Sequence, residues 1–475
     1  MTGAAQRLYD LLPPVAQSGA ASLRGFYLRA WRYGAETERL VAEAQERESW
    51  PEARWRAWRE ERVGRLLHRA ATRVPFYRRQ WEERRRRGDR SAVERLENWP
   101  ILRKESLRER AEEFIAEDRD RRKLFAEQTS GTTGTPLRLW IGRQNLRAAY
   151  ALFEARVRRW NGISLRDRWA MLGGQLVTPT RRTRPPFWVW NAGLNQLYMS
   201  SYHLSQDTAA DYLAAMRRYR VTSVLGYPSS LHSLAQAALE RGLEAPRLSV
   251  VIGNAEPLYE SQRAAISRAF GAPVRNTYGM AEWVGAASEC AAGTLHAWPD
   301  AGVMETFEDD SDAPAAPAEL GRLIGTGLIN DDMPLIRYEI GDRAALAAAG
   351  PPCSCGRSLP AFESVEGRCD DVVVTPAGRR IGRFDPVFKA DLPIREAQII
   401  QEGPGLLRVK VVPTVPGEFD PAELMARLRA RVGPGMELVV ETVDRIPRTS
   451  RGKFRAVVSR LKAESGPGAA WERAG

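Results

Sequence analysis

With 475 residues, of which 43% are hydrophobic and 27% charged, the chain is too long for one compact core and has the composition of a soluble globular protein of two or three domains. Its longest apolar runs fall far short of the roughly 20 residues of a membrane-spanning helix, and no charged-then-apolar leader opens it, so the cytoplasm is the expected location. The net charge of +12 comes almost wholly from arginine, and the densest cluster, 84–87, is mixed with glutamate and lacks aromatic residues for base stacking, so we expect no nucleic-acid partner.

The first 120 residues are predicted to form a helical leader. Apolar residues recur at roughly helical spacing over 55–70, with Glu and Arg between them. Pro75 ends that helix, because proline biases its predecessor out of helical geometry. Residues 100–102 look strand-like and precede another charged helix. Nothing in 1–120 carries chemistry by itself, so we expect this segment to pack on the domain that follows.

The stretch Thr-Ser-Gly-Thr-Thr-Gly-Thr-Pro at 129–136 is the first segment with chemical potential. It offers bare backbone N–H groups and a row of hydroxyls, which together suit a polyanion such as a nucleotide triphosphate. The lysine of a Walker phosphate loop is absent, since Thr135 and Pro136 follow Gly134. Taken alone, the stretch is equally typical of a flexible loop.

Residues 121–368 are predicted to form an α/β domain. Short apolar strands alternate with helices, the strands at 168–172, 221–225 and 248–252 and the helices at 207–219 and 231–239. In layered domains of this kind, the loops after the strand ends form the ligand crevice. The crevice loops predicted on this basis are 226–230, 253–257 and 276–279.

Residues 369–475 form a separate, small α+β domain by pattern. A strand at 406–412, a helix at 421–431 and a strand at 437–443 are predicted there. The expected fold class is therefore α/β, with a large amino-terminal domain, its helical leader and a small carboxyl-terminal domain.

Five motifs occur in a fixed order along the chain. After 129–136 come Tyr-Gly-Met-Ala-Glu at 278–282, Arg-Tyr-Glu-Ile-Gly-Asp at 337–342, Gly-Arg-Cys-Asp-Asp at 367–371 and Pro-Arg-Thr-Ser-Arg-Gly-Lys at 447–453. In this order and spacing the set resembles the adenylate-forming enzymes. The segments at 74–77 and 100–104 resemble the phenylacetate–CoA ligase group, and 321–342 is most similar to a branch associated with capsular-polysaccharide gene clusters.

The resemblance implies ATP as a substrate and assigns the residues that would bind it. The β- and γ-phosphates would be held by Ser130, Gly131, Thr132, Thr133, Gly134 and Thr135. In the family, the aromatic residue of the Tyr-Gly motif stacks on adenine, which here is Tyr278, followed by Gly279. The loop Asn254, Ala255 and Glu256 would line the other side of the base, and Asn276 precedes the stacking residue on the same segment.

The remaining motif residues would bind the ribose, coordinate the metal ion and take part in catalysis. Glu282 has the side chain expected of a ligand for the Mg²⁺ that accompanies ATP. Asp342 would accept the ribose hydroxyls, and Arg368 would add a ribose or phosphate contact. The resemblance also makes the small domain mobile, with its hinge at Asp370 and with Lys453 as a catalytic cation that reaches the α-phosphate and the attacking carboxylate.

Cysteine and histidine residues suggest a second metal. Cys353 and Cys355 lie in a Pro/Gly-rich turn, about 60 residues beyond Cys290 and His296. Three thiolates and one imidazole would complete a tetrahedral, structural Zn²⁺ site. Unrelated reduced thiols are the alternative, and a disulfide is not expected in the cytoplasm.

Three hypotheses about function remain open at this point. The first is ATP-dependent activation of a small carboxylic acid as acyl-AMP, followed by transfer to CoA. The second keeps the activation but passes the acyl group to an amine or hydroxyl in cell-surface polysaccharide synthesis. The third is a basic interaction protein with a vestigial phosphate loop. The acyl pocket would involve 227–230 and 188–202, although the aromatic residues there are equally suited to a core. The sequence indicates neither the acid nor the oligomeric state.

Overall fold

The structure is a computed structural model that describes residues 8–128, 137–175, 177–179, 181–348, 350, 352–368, 373–376, 380, 381, 384, 387, 392–415, 419–448 and 454–461. The chain divides into two compact units, which part between Val365 and Glu366.

The first unit opens with a run of helices, as the leader pattern predicts. They are α1 (Pro14–Arg32), α2 (Thr37–Arg47), α3 (Glu52–Arg73), α4 (Pro75–Arg86) and α5 (Lys104–Glu109). Helix α3 ends at Arg73 because Val74, the residue before Pro75, adopts extended backbone. Pro75 itself opens α4, where its missing N–H is not needed. Between α4 and α5, Leu102 forms only an isolated parallel bridge with Tyr338, so the strand-like piece at 100–102 is not a full strand.

A short antiparallel hairpin follows the leader. Its strands are β1 (Phe125–Gln128) and β2 (Arg138–Ile141), and Gln128 pairs with Arg138. The Ser/Thr/Gly stretch 129–136 is the connection between these two strands, and it lies outside the described residues.

A parallel sheet forms the centre of the first unit. Its parallel strands are β3 (Trp169–Gly173), β5 (Gln196–Ser200), β6 (Ser223–Gly226), β7 (Val250–Gly253) and β8 (Val274–Gly279), and the antiparallel edge strand is β4 (Trp188–Asn191). The helices of this region are α6 (Arg143–Phe153), α7 (Ala209–Arg218), α8 (Pro228–Glu240) and α9 (Glu260–Phe270). Strands β6 and β7 are buried over their whole length, as expected of parallel strands covered on both faces.

The sheet continues beyond β8 with antiparallel strands. These are β9 (Ala286–Glu289), β10 (Leu295–Ala297), β11 (Gly302–Phe307), β12 (Gly321–Gly327), β13 (Tyr338–Leu346) and β14 (Ala361–Arg368). The full strand order is β11-β12-β13-β14-β10-β9-β8-β7-β6-β3-β5-β4. Strand β8 therefore joins the parallel and antiparallel halves, pairing with β7 on one side and β9 on the other.

Two of the predicted crevice loops are not loops. Residues 276–279 belong to strand β8, and Pro228 to Ser230 form the first turn of helix α8. The loop prediction for 276–279 was wrong because β8 carries polar, partly exposed side chains along most of its length. A strand that leaves the core to reach a site loses the apolar signature on which strand prediction depends.

The second unit is a small α+β domain. Its elements are β15 (Val373–Val374), β16 (Arg380–Ile381), β17 (Ile394–Gly403), β18 (Leu406–Pro413), α10 (Pro421–Val432), β19 (Glu437–Thr442) and β20 (Val457–Ser459). Its main sheet has the order β19-β18-β17-β20. The apolar face of β18 packs with α10, through residues such as Val409 and Leu424.

The predicted fold class is confirmed, while the longest strand of the small domain was missed. Strand β17 includes Arg395, Glu396, Gln398 and Gln401, which obscure its alternation. Gln401 is fully buried, and its side chain accepts from the amide of Val374 and donates to the same residue's carbonyl. A buried glutamine whose hydrogen bonds are satisfied in this way cannot be recognised as a core residue from a hydrophobicity pattern.

Candidate active site

Two motifs that are 64 residues apart meet through one hydrogen bond. The phenol of Tyr278, at the end of β8, donates to Oδ2 of Asp342 on β13 over 2.6 Å. The Tyr278 ring also contacts Phe362, with ring centroids 5.9 Å apart. The predicted adenine-stacking residue and the predicted ribose acceptor therefore lie side by side.

A bulge in β13 accompanies the placement of Asp342. Strand β12 pairs Arg322 with Arg343 and then Ile324 with Glu339, so three residues of β13 oppose one residue of β12. Gly341, inside this bulge, has φ +86°, a left-handed conformation that glycine adopts without a steric cost. The glycine of the Tyr-x-x-Gly-Asp motif is thus required by the backbone that presents Asp342.

Glu282 lies buried in the turn after β8. Its Oε1 accepts a hydrogen bond from the phenol of Tyr338 at 3.3 Å. Burial raises the pKa of Glu282, the charge of Lys104 counteracts this shift, and the carboxylate of Asp342 adds to it. Trp283, the next residue, has φ +56°, which is strained for a bulky side chain. Strain of this kind concentrates at functional sites, because only a well-determined surrounding structure maintains it.

A second buried carboxyl group, which the sequence reasoning did not single out, lies near Glu282. Glu127 is the penultimate residue of the hairpin strand β1, and it accepts from the indole of Trp283 at 3.2 Å. Burial raises the pKa of Glu127, the Trp283 bond and Arg32 lower it, and Glu282 raises it further. The carboxylate oxygens of Glu127 and Glu282 are ligands of the type that Mg²⁺ prefers, and a buried acidic pair gains from a cation in place of a proton.

Lys104 is the other residue that was missed. It opens helix α5, far from the nucleotide motifs in sequence, yet its charge acts on Glu282. Lysine is scarce in this arginine-rich chain, and that scarcity was the available signal.

The loop after β7 lies at the same edge of the sheet. Ala255 has φ +63°, a left-handed conformation that is unfavourable for alanine. Glu256 accepts from the backbone amide of Ser229 at 3.1 Å, so its carboxylate caps helix α8. Asn254 and Asn276 each have a buried Oδ1 without a hydrogen-bond partner among the described residues. Orphaned acceptors at a strand-end crevice are what a bound polar ligand would satisfy.

A cavity of about 450 Å³ adjoins this crevice. Asn254, Thr277 and Trp283 contribute to its wall on the side of the nucleotide motifs, and Tyr198 and Asn191 contribute from β5 and β4. Its volume is typical of small-molecule sites.

The aromatic residues proposed for an acyl pocket divide between the cavity and the core. Tyr198 lines the cavity, whereas Phe187 is buried in stacked contact with His203 and Tyr212. Trp188 and Trp190 pack against the same core, because side chains alternate along β4. The intervening Val189 and Asn191 face the cavity instead.

The four predicted zinc ligands come together. The ligand atoms of Cys290, His296, Cys353 and Cys355 all lie within 4.8 Å of one another. Sγ of Cys290 is 3.8 Å from Sγ of Cys353, and Sγ of Cys355 is 3.4 Å from Nε2 of His296. A tetrahedral ion with metal–sulfur bonds of about 2.3 Å requires sulfurs about 3.8 Å apart, so the arrangement fits Zn²⁺.

The surroundings of this cluster orient its ligands. Nδ1 of His296 lies 3.0 Å from the carbonyl of Leu359, which leaves Nε2 for a metal. Arg357 donates to Glu48 on the segment after α2 at 2.8 Å, and Ser358 donates to the Glu48 carbonyl. The cluster therefore joins the Cys-x-Cys turn to β9, β10 and the helical leader, which suits a structural role.

Several predicted residues lie outside the described part of the chain. They are Ser130, Gly131, Thr132, Thr133, Gly134, Thr135, Asp370 and Lys453. Arg368 ends strand β14, and its backbone alone is described. Their roles stay predictions.

The structure combines a mixed sheet, in which a tyrosine and an aspartate meet near the strand ends, with a small α+β domain. This combination is typical of the adenylate-forming enzymes. Residues 56–314 match the AMP-binding enzyme family and residues 373–460 match the CapK C-terminal domain. The chain belongs to the AMP-binding enzyme family.

Two curated relatives are similar to this chain over most of their length. Protein CapK of Staphylococcus aureus is 23% identical over 383 residues, which are 79% of this chain and 82% of CapK. The phenylacetate-coenzyme A ligase of Thermus thermophilus is 27% identical over 343 residues, 69% of this chain and 74% of that enzyme.

Solved structures share the fold. 2-Hydroxyisobutyryl-CoA ligase in the postadenylation state, in complex with R3-HIB-AMP, gives a TM-score of 0.66 at 22% identity, covering 88% of this chain and 92% of that one. An open conformation of the same ligase, in complex with 2-HIB-AMP and CoA, gives 0.54 at 22% identity over 88% and 93%. Within the described residues, no helix combines the length and apolar character needed to cross a membrane.

Proposed function

We propose that this enzyme activates a carboxylic acid with ATP to give acyl-AMP and pyrophosphate, and then transfers the acyl group to CoA. The observation that carries the proposal is the hydrogen bond between Tyr278 and Asp342, beside the buried Glu282 and the 450 Å³ cavity. A residue that would stack on adenine, an acceptor for the ribose and a space for an acid at one strand-end crevice would together serve the adenylation of an acid.

In the first step, a carboxylate oxygen attacks the α-phosphorus of ATP and pyrophosphate leaves. Tyr278 would hold the base and Asp342 the ribose, while Ser130 to Thr135 would bind the departing phosphates through amides and hydroxyls. Glu282, with Glu127 as a second carboxylate, would hold Mg²⁺, which neutralises charge on the phosphates.

The small domain would supply the remaining cation. We assign Lys453 to the α-phosphate and the attacking carboxylate during adenylation, and Asp370 to the hinge that reorients the small domain for the second half-reaction. In that half-reaction the thiolate of CoA attacks the acyl carbon and AMP leaves with its electron pair.

The acyl acceptor is the finer part of the proposal. The similarity to phenylacetate-coenzyme A ligases favours CoA. The chain is also similar to CapK over most of its length and matches the CapK C-terminal domain at 373–460. Because the sequence resembles a branch associated with capsular-polysaccharide gene clusters, we keep as the alternative an amine or hydroxyl acceptor in cell-surface polysaccharide synthesis.

We also assign a structural Zn²⁺ to Cys290, His296, Cys353 and Cys355. The support is the spacing of the ligand atoms and the bond from His296 to the Leu359 carbonyl. All four positions of a tetrahedron are taken by protein, which leaves none for a substrate.

Pyrophosphate exchange tests the proposed function. Purified protein is incubated with ATP, Mg²⁺, labelled pyrophosphate and a panel of aryl, aliphatic and sugar acids, with and without CoA. Acid-dependent exchange is expected, and its absence across the panel would contradict the proposal. AMP release that depends on CoA supports the thioester route, whereas release that ignores CoA but responds to an amine or hydroxyl supports the alternative.

A further inference from the structure

The cavity beside the nucleotide motifs is walled on one side by arginine. Helix α1 contributes Arg24, Arg29 and Arg32, and Arg158 follows helix α6. None of the described residues that line the cavity is an acid; the polar ones besides arginine are amides, hydroxyls and two indoles. A pocket for a purely apolar acid has no need of so many cationic side chains, because an apolar chain gains nothing from nearby positive charge.

Most of these charges are not neutralised by an ion pair within the described part of the chain. Arg24 lies over the ring of Tyr27 at 5.0 Å and Arg32 over that of Tyr150 at 4.5 Å. Arg29 makes a long bond of 3.4 Å to the carbonyl of Gly193. Arg158 is the exception, since it donates to Glu154 at 3.0 Å.

The negative charge of one nearby acid, Glu127, partly offsets the positive charge of the arginines. Glu127 interacts with Arg32, whereas Arg24 and Arg29 form no ion pair among the described residues. The three arginines of α1 therefore leave an excess of positive charge at the cavity, which attracts and orients anions.

Close backbone contacts fix α1 on this cavity. A side chain at Gly25 would collide with Oδ1 of Asn191, and one at Gly193 would collide with the backbone N of Phe26. The serine hydroxyl of Ser22 also accepts from the amide of Ala192 at 3.0 Å. Helix α1 is thus held by its backbone against the turn between β4 and β5, and its arginines are part of the pocket.

We propose that the acid activated by this enzyme carries a second anionic group, a carboxylate or a phosphate, and that Arg24 and Arg32 of α1 recognise it. This inference rests on the proposed function, since it names the substrate class of the same cavity. The two residues are eight positions apart, about 12 Å along the helix axis, and both line the cavity. The forked donors of arginine match carboxylate and phosphate oxygens in pairs, which gives recognition as well as attraction.

The test compares matched acids that differ only in the second anion. Binding of benzoate, isophthalate and 3-phosphonobenzoate, and of hexanoate and adipate, is measured by isothermal titration calorimetry on the full chain with Mg²⁺ and a non-hydrolysable ATP analogue. We expect at least one doubly anionic acid to bind about tenfold or more tighter than its singly charged partner, the range for charged hydrogen bonds. If no doubly anionic acid is preferred, or if none binds, the inference is overturned.

Variants test whether Arg24 and Arg32 recognise the second anionic group. The double variant Arg24→Gln/Arg32→Gln should reduce the preference to near unity while leaving the affinity for the singly charged acid largely unchanged. Arg56→Gln, an exposed arginine of α3 that does not line the cavity, is the matched control and should retain the preference. A preference that survives the double variant would show that α1 does not recognise the anion.

The same experiment keeps the two proposals apart. Preferential binding of diacids without pyrophosphate exchange would contradict the proposed function and leave the cavity assignment standing. Exchange that is equally fast with singly and doubly charged acids would support adenylation and overturn the inference.

Discussion

Tyr278→Phe isolates the hydrogen bond that joins the two nucleotide motifs. The substitution keeps the ring for stacking on adenine and removes only the phenol oxygen, which donates to Asp342 over 2.6 Å. A hydrogen bond to a charged acceptor contributes about 1.5–3 kcal/mol, and a factor of ten corresponds to about 1.4 kcal/mol. We therefore expect kcat/KM for ATP to fall by about 10- to 100-fold, because Asp342 loses the group that would orient it toward the ribose in the proposed site.

The assay is pyrophosphate exchange at varied ATP with a saturating acid. Tyr212→Phe is the matched control: its phenol donates a similarly short bond of 2.7 Å to the carbonyl of Ser200 in the core. This control should lower the thermal stability and leave kcat/KM for ATP unchanged. Adding Asp342→Asn to Tyr278→Phe should cost less than the sum of the single changes, since both remove one interaction. An unchanged ATP dependence in Tyr278→Phe would refute the argument that the bond positions Asp342.

Three further predictions concern stability, metal and the small domain. Burial lowers the pKa of His232 to about 4, so the folded state excludes a proton that the unfolded state binds below about pH 6.5. The corresponding stability is present above pH 6.5 and is lost as the pH falls toward 4, which amounts to about 1–2 kcal/mol between pH 7 and pH 5. In chemical denaturation, His232→Gln should remove that loss, whereas His68→Gln, an exposed control, should not; an identical pH dependence in wild type and His232→Gln would contradict the burial argument. Metal analysis of purified protein should find about one equivalent of zinc, absent in Cys353→Ser and retained in Cys369→Ser, and a metal-free wild type would exclude the site. Lys453→Ala should abolish adenylation but spare thioester formation from preformed acyl-AMP, and equal loss of both half-reactions would rule out its assigned role.

The candidate site residues that the sequence singled out lie in contiguous motifs, and the structure brings three of them together. Tyr278, Glu282 and Asp342 could be recognised because each lies in a short segment with a fixed neighbourhood. Cys290 and His296 could be grouped with the Cys-x-Cys turn because few residue types bind zinc, and the pairing of β10 with β9 and β14 brings them together.

Residues whose role depends on tertiary contact were not predicted. Glu127 and Lys104 acquire their significance from proximity to Glu282, which no local pattern encodes. The sequence did not single out the arginines of α1 for a different reason. The chain is so rich in arginine that no single arginine stands out. Only the cavity beneath α1 distinguishes Arg24 and Arg32 from the many arginines at the surface.

The central claim is that this enzyme joins a carboxylic acid to AMP, and isotope transfer tests it most directly. An acid that supports exchange is labelled with ¹⁸O in its carboxylate and turned over with ATP and CoA, and the AMP is examined by mass spectrometry. Attack of the carboxylate on the α-phosphorus, followed by acyl transfer, predicts that AMP carries one ¹⁸O from the acid. AMP that forms without the label would contradict an acyl-adenylate and with it the function proposed for this site.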